Sequence, residues 1–133
     1  MKFLIFIFFA FLFACNAGET DPKILLGREW NESAKVVADT ASQFKANDMI
    51  IIQMRNGKPF SVQEVELRVY LGETDKILFK RAKAVKKNDA EVIFKGPEMT
   101  ARNLLRTSTP GIYRIAIAAG DSIILEKRME LVR

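Results

Sequence analysis

Val65, Leu67, Val69 and Leu71 alternate with Glu64, Glu66, Arg68 and Tyr70, and this period of two constrains the fold more than any other feature of the chain. Successive side chains of an extended strand point to opposite faces, so the pattern specifies one buried face and one wet face. A helix of the same residues would scatter its apolar groups around its circumference. Ile50, Ile52 and Met54 alternate in the same way with Ile51, Gln53 and Arg55, and Asn56-Gly57 follows as a turn. Further runs cover Lys35–Asp39, Lys76–Arg81, Ala90–Lys95, Ile112–Ala118 and Ser122–Val132. Gly72-Glu73-Thr74-Asp75, Lys87-Asn88-Asp89 and Gly120-Asp121 supply turns among them. About seven short strands in roughly 100 residues predict an all-β fold, a two-sheet antiparallel sandwich.

Residues 97–106 break the rhythm. Pro97, followed by Glu98, Met99, Ala101, Leu104 and Leu105, predicts a short helix across one end of the sandwich, with Met99, Leu104 and Leu105 closing that end. Leu105 precedes Tyr113 by eight residues, and Ile115 and Ile117 follow Tyr113 in the same phase. This spacing resembles the corner of immunoglobulin-like and fibronectin-like domains, in which a tyrosine opens the next-to-last strand. The resemblance implies that Tyr113 points inward and that its hydroxyl returns to backbone just upstream. Thr109 stands where those domains usually carry an acid, and their paired cysteines and core tryptophan are absent. What the resemblance implies is an architecture from Ala34 to Arg133, and no particular activity.

The other end of the chain speaks of location. After Lys2, residues Phe3 to Phe13 contain no charged or polar side chain, and small Ala14 precedes Cys15, the only cysteine. That is the form of an export signal, too short to span a bilayer as a helix. Leu12-Phe13-Ala14-Cys15 resembles the lipobox of bacterial lipoproteins, although Phe13 is bulkier than usual there. The resemblance implies that residues 1–14 are a removed signal peptide and that Cys15 is acylated and becomes the first mature residue. Asn16 after it resembles outer-membrane sorting. Residues 15–31, with Gly18, Asp21, Pro22 and Gly27, read as a tether, able to reach on the order of 50 Å at full extension. Ile24, Leu25, Leu26 and Trp30 within it are apolar enough to dock. The sandwich is then expected over 32–133.

Removing the leader leaves roughly 120 residues, one domain with its own core. With Cys15 committed to lipid no intrachain disulfide forms, so stability must come from burial. The chain has no histidine, which removes the usual zinc, copper and imidazole-base chemistries together. A net charge of +5 is spread along the chain and says little about partners.

Four groups of residues are candidate sites. Lys80, Arg81, Lys83, Lys86 and Lys87 are the densest basic run, able to meet lipid headgroups or an acidic polymer. The preferred reading is an edge strand guarded by lysines. Phe79 is in an inward phase, so no aromatic platform accompanies the run and nucleic acid is not expected as a partner. Trp30 is either a partner contact or a plug for the sandwich end. Glu64, Glu66, Asp121 and Glu126 are carboxylates without an evident cleft, so no catalytic residue is expected. Asn88-Asp89 and Asp121-Ser122 lack a calcium-loop spacing, so neither metal nor cofactor is expected. Ile51, Ile93 and Ile124 fall out of the inward phase and predict an exposed apolar face, unless the tether or the helix covers it.

The function expected is that of a non-enzymatic, membrane-anchored envelope lipoprotein that binds another envelope protein or a surface polymer. An alternative is a scaffold lipoprotein of a secretion machine. Asn56-Gly57-Lys58-Pro59 followed by Val65–Leu71 and Phe79 is loosely similar to small outer-membrane lipoproteins of type VI secretion systems. A protease or hydrolase inhibitor on the same fold is the third.

Overall fold

The computed structural model describes residues 21–133. Nine strands occur in it: β1 (Lys23–Asn31), β2 (Val36–Thr40), β3 (Gln43–Phe44), β4 (Ile51–Arg55), β5 (Glu64–Leu71), β6 (Ile77–Ala84), β7 (Glu91–Phe94), β8 (Gly111–Ala119) and β9 (Ser122–Leu131). A short helix α1 (Ala101–Leu105) lies between β7 and β8. One sheet has the order β2-β1-β4-β7 and the other β3-β9-β8-β5-β6. The seven expected strands are all present. The additions are β1 and the two-residue β3, whose pairing with β9 is parallel in an otherwise antiparallel sheet.

Between the sheets the inward residues form one apolar core. Leu67, Val69, Ile115 and Ile117 of one sheet meet Ile24, Leu26, Ile52, Met54 and Phe94 of the other, all nearly inaccessible to water. Met99, Leu104 and Leu105 close one end of this core, as their spacing predicts. Thr100 caps α1, its hydroxyl accepting from the Asn103 N–H at 3.2 Å. Tyr113 is buried, and its hydroxyl donates to the Thr109 carbonyl at 2.6 Å, the upstream backbone bond expected of the corner. Burial pushes the Tyr113 phenol above its usual range.

The segment read as a tether ends much earlier than Asn31. Lys23–Gly27 pairs with β4, Lys23 opposite Arg55 and Gly27 opposite Ile51. Gly27–Asn31 pairs with β2. At the junction an added Cβ on Gly27 would overlap the Val37 side chain and the Ala38 carbonyl oxygen, so only glycine allows this close approach. Beyond it the β1–β2 hairpin comes against β4. Gln53, wholly buried, accepts from the Val37 N–H at 3.1 Å and donates to the Lys35 carbonyl at 3.1 Å. Its amide thus stands in for a strand partner. Ile51, expected to be exposed, is buried as a result, while Ile93 and Ile124 are half-buried. The cover comes from the β1–β2 hairpin, in which Val37 and Lys35 of the expected strand meet Gln53, while Ile124 packs against the core.

The two ends of the sandwich differ. Lys23, Arg55 and Glu91 lie side by side at what is here the lower end. There the 56–63 and 85–90 loops join through Asn56 N–H to the Ala90 carbonyl, 2.7 Å, and Val85 N–H to the Gln63 carbonyl, 2.9 Å. The β5–β6 turn, the C-terminal end of α1 and the start of β8 form the upper end.

Candidate functional site

At the upper end β5 stops at Leu71 and the chain reverses through Gly72–Lys76. The Thr74 N–H and hydroxyl both bond the Leu71 carbonyl, at 3.0 and 2.6 Å. Arg114 holds the turn from below, donating to the Thr74 carbonyl at 3.0 Å while stacking on Tyr70 at 4.4 Å. The chain re-enters as β6 with Ile77 and Leu78. Opposite, α1 ends in Leu105 and Arg106, and Thr107 and Thr109 tie their stretch together, hydroxyl to hydroxyl at 2.8 Å. Between these walls lies an open groove of about 490 Å³, floored by Leu71, Ile77, Leu78, Leu105 and Tyr113.

Leu71, Ile77 and Ile112 are three of the four large apolar side chains that stand exposed among the described residues. Leu71 and Ile77 line the groove, whereas Ile112, next to Tyr113 in β8, alternates to the outer face of the sheet. Leu71 keeps the inward phase its alternation predicts, opposite Tyr113, but lies past the end of the core and is left 37% exposed. Lys76 and Arg106 are the cations of the lining; both are exposed and neither has an ion pair among the described residues. Arg106 sits in the left-handed region, φ 54° and ψ 27°, where glycine is the favoured residue after a helix. The lining offers apolar surface, hydroxyls and positive charge, and no carboxylate.

The basic run divides rather than forming one patch. β6 is the outer strand of its sheet, so Lys80 and Arg81, like Lys83, occupy a guarded edge as preferred above. Alternate residues turn to opposite faces. Arg81 pairs with Glu98, whose carboxyl is held below its usual range by its own backbone N–H and by that guanidinium. Lys83 donates to the Ile93 carbonyl of the facing sheet, closing the open side of the sandwich. Lys127 does the same on the other side, reaching the Ile24 carbonyl at 3.1 Å. Lys86 and Lys87 stand exposed in the lower-end loop.

Trp30 is not an end plug. It lies on the covering hairpin, half-exposed, with Lys95 5.1 Å above the ring and its indole N–H donating to Glu32 at 2.8 Å. Glu64 is exposed; Glu66 is bonded to Arg68 at 2.6 Å and Glu126 to Arg114 at 2.9 Å, and Asp121 stands in an exposed turn. None of these carboxylates lines the groove. Among the described residues no cluster of three acids, cysteines or histidines is placed to hold a metal, and no helix is long and apolar enough to cross a membrane. Cys15 lies outside the described residues, as does the signal segment 1–14.

The groove was missed by the sequence reading because its parts are dispersed. Leu71, Ile77 and Arg106 meet only after the sandwich closes, and each alone passes for a strand or cap residue. The one local signal is Arg106 directly after the apolar residues of a helix, where glycine is expected.

No protein-family model matches the chain. No curated protein matches it significantly. Among solved structures, it is similar to an immunoglobulin-like protein from Pseudomonas aeruginosa, with 12% sequence identity and a TM-score of 0.50 over 86% of this chain and 98% of that one. At that identity the likeness is one of fold. Together with the two packed sheets and the Tyr113 corner, it makes this domain an immunoglobulin-like β-sandwich.

Proposed function

We propose that this chain is a lipid-anchored protein of the cell envelope, not an enzyme, whose sandwich holds another envelope protein at its upper end. The observation that carries the reading is the meeting of exposed Leu71 and Ile77 with Leu78, Leu105 and Tyr113 in one groove. Contiguous exposed apolar surface is costly in water and marks a partner surface. The apolar run through Phe13 to Ala14-Cys15 supports the anchor, and Asn16 favours the outer membrane. Cys15 stands eight positions before Lys23, the first residue of β1. An acyl group there keeps the lower end within roughly 30 Å of the bilayer and leaves the groove facing away from it. The reading requires neither cofactor nor turnover, since apolar, hydroxyl and cationic groups bind but carry no acid–base pair.

A photoactivatable residue placed in cells at Ile77 and, separately, at Lys58 tests this arrangement. Crosslinks to one envelope protein from Ile77, and to lipid or nothing from Lys58, are expected. The same products from both positions, or none from Ile77, would refute the role of the groove. Absence of acyl groups on Cys15 would refute the anchor.

A further inference from the structure

We propose that the upper groove takes a peptide segment of its partner in which apolar side chains are followed by a carboxylate, gripped by Lys76 and Arg106. The inference rests on the binding role above and names the chemistry of the occupant. Its first support is charge. The floor is apolar, yet the two charged side chains in the lining are both cations, both exposed and both without an ion pair among the described residues. Nearby cations are already matched, Arg114 with Glu126 and Arg128 with Glu73. Asp75, in the adjoining turn, is the nearest acid by sequence and does not line the groove. An anion entering there meets uncompensated positive charge.

The second support is Arg106 itself. At φ 54° glycine would relieve the backbone, so arginine here carries a conformational cost. Its guanidinium forms no hydrogen bond among the described residues, so nothing within the fold offsets that cost. An arginine fork matches a carboxylate with two parallel N–H donors, and an incoming anion would supply the partner that the fold does not. The remaining geometry favours a peptide over an acyl chain. The groove is open to solvent, whereas a fatty acid needs an enclosed slot to bury its tail. Thr107 and Thr109, outside any strand, line it beside the apolar floor.

The test pans a randomised heptapeptide display library against the chain as isolated, held in lipid nanodiscs when acylated. Affinity of the enriched consensus is then measured by fluorescence anisotropy. Enriched sequences are expected to combine apolar residues with Asp or Glu. Arg106→Gly is the decisive variant, because glycine suits the backbone there: it should melt no lower than the parent yet bind the consensus roughly tenfold more weakly. Ile77→Ser should weaken it independently. Enrichment without carboxylates, an Arg106→Gly variant that binds equally well, or no enrichment would overturn the assignment. So would saturable binding of dodecanoate that displaces the consensus peptide, or dimerisation abolished by Ile77→Ser, which would give the groove to lipid or to a second copy. These readouts are independent of Cys15, so failure of the anchor and failure of the peptide assignment are told apart.

Discussion

Replacing Gln53 by leucine tests how the covering hairpin is held. The amide is inaccessible to water and makes three bonds: from the Val37 N–H at 3.1 Å, to the Lys35 carbonyl at 3.1 Å and to Glu91 at 3.3 Å. Leucine of similar volume keeps the packing and deletes all three. Lys35 and Glu91 are exposed or half-exposed and turn to water at little cost, but Val37 is buried and its N–H loses its partner. One stranded buried donor, plus the net value of the bonds removed, costs about 2–3 kcal/mol. In urea that lowers the midpoint by roughly 1–2 M. Trp30, the only tryptophan, rides on the same hairpin, so its emission reports local release separately from far-ultraviolet circular dichroism. The two signals should part in Gln53→Leu, with Trp30 responding first. Gln53→Glu keeps the acceptor for Val37 but sets a carboxylate against Glu91, and should recover stability as acid protonates it. A Gln53→Leu protein that loses under about 0.5 kcal/mol, with both signals still coincident, would refute the reasoning.

Other outcomes follow from single contacts. Tyr113→Phe deletes the bond to the Thr109 carbonyl and should cost about 1 kcal/mol by urea denaturation, with the fold unchanged by circular dichroism. Gly27→Ala forces β1 and β2 apart at Val37 and Ala38 and should cost about 3 kcal/mol or more, read as a fall in Tm. The Asp48 carboxyl lies below its usual 3.8 because the Lys45 N–H and then Arg28 bond its charged form. The folded state therefore binds fewer protons there than the unfolded one: its contribution is complete above about pH 4 and fades as pH falls further. Asp48→Asn should flatten that acid limb of stability against pH.

Where local pattern and tertiary burial agree, the fold was readable. β5 follows its alternation because one face meets the core and the other meets water, and Tyr113 kept both its phase and its upstream bond. β4 did not follow, since Ile51 and Gln53 on its outer face are covered by a hairpin whose first strand the sequence presents as the end of a tether. Gly27 and the mixed phase around it hid β1, although Ile24 and Leu26 carried the apolar signal. A strand as short as β3 has no period to read; it exists because the chain crossing from β2 meets the end of β9, where Phe44 is buried. Of the candidate contacts, Arg81 and Lys83 are committed to closing the sandwich, which a basic run in sequence cannot distinguish from a binding patch. The upper groove depends on three segments brought together by the crossover, so no single stretch announces it.

Mass spectrometry of the mature chain extracted from membranes tests the account most directly, because both the orientation of the sandwich and the outward groove depend on the anchor. The account predicts an N-terminal peptide that begins at Cys15 and carries acyl groups, with residues 1–14 gone. A mature chain that begins elsewhere, or at an unmodified Cys15, would contradict it.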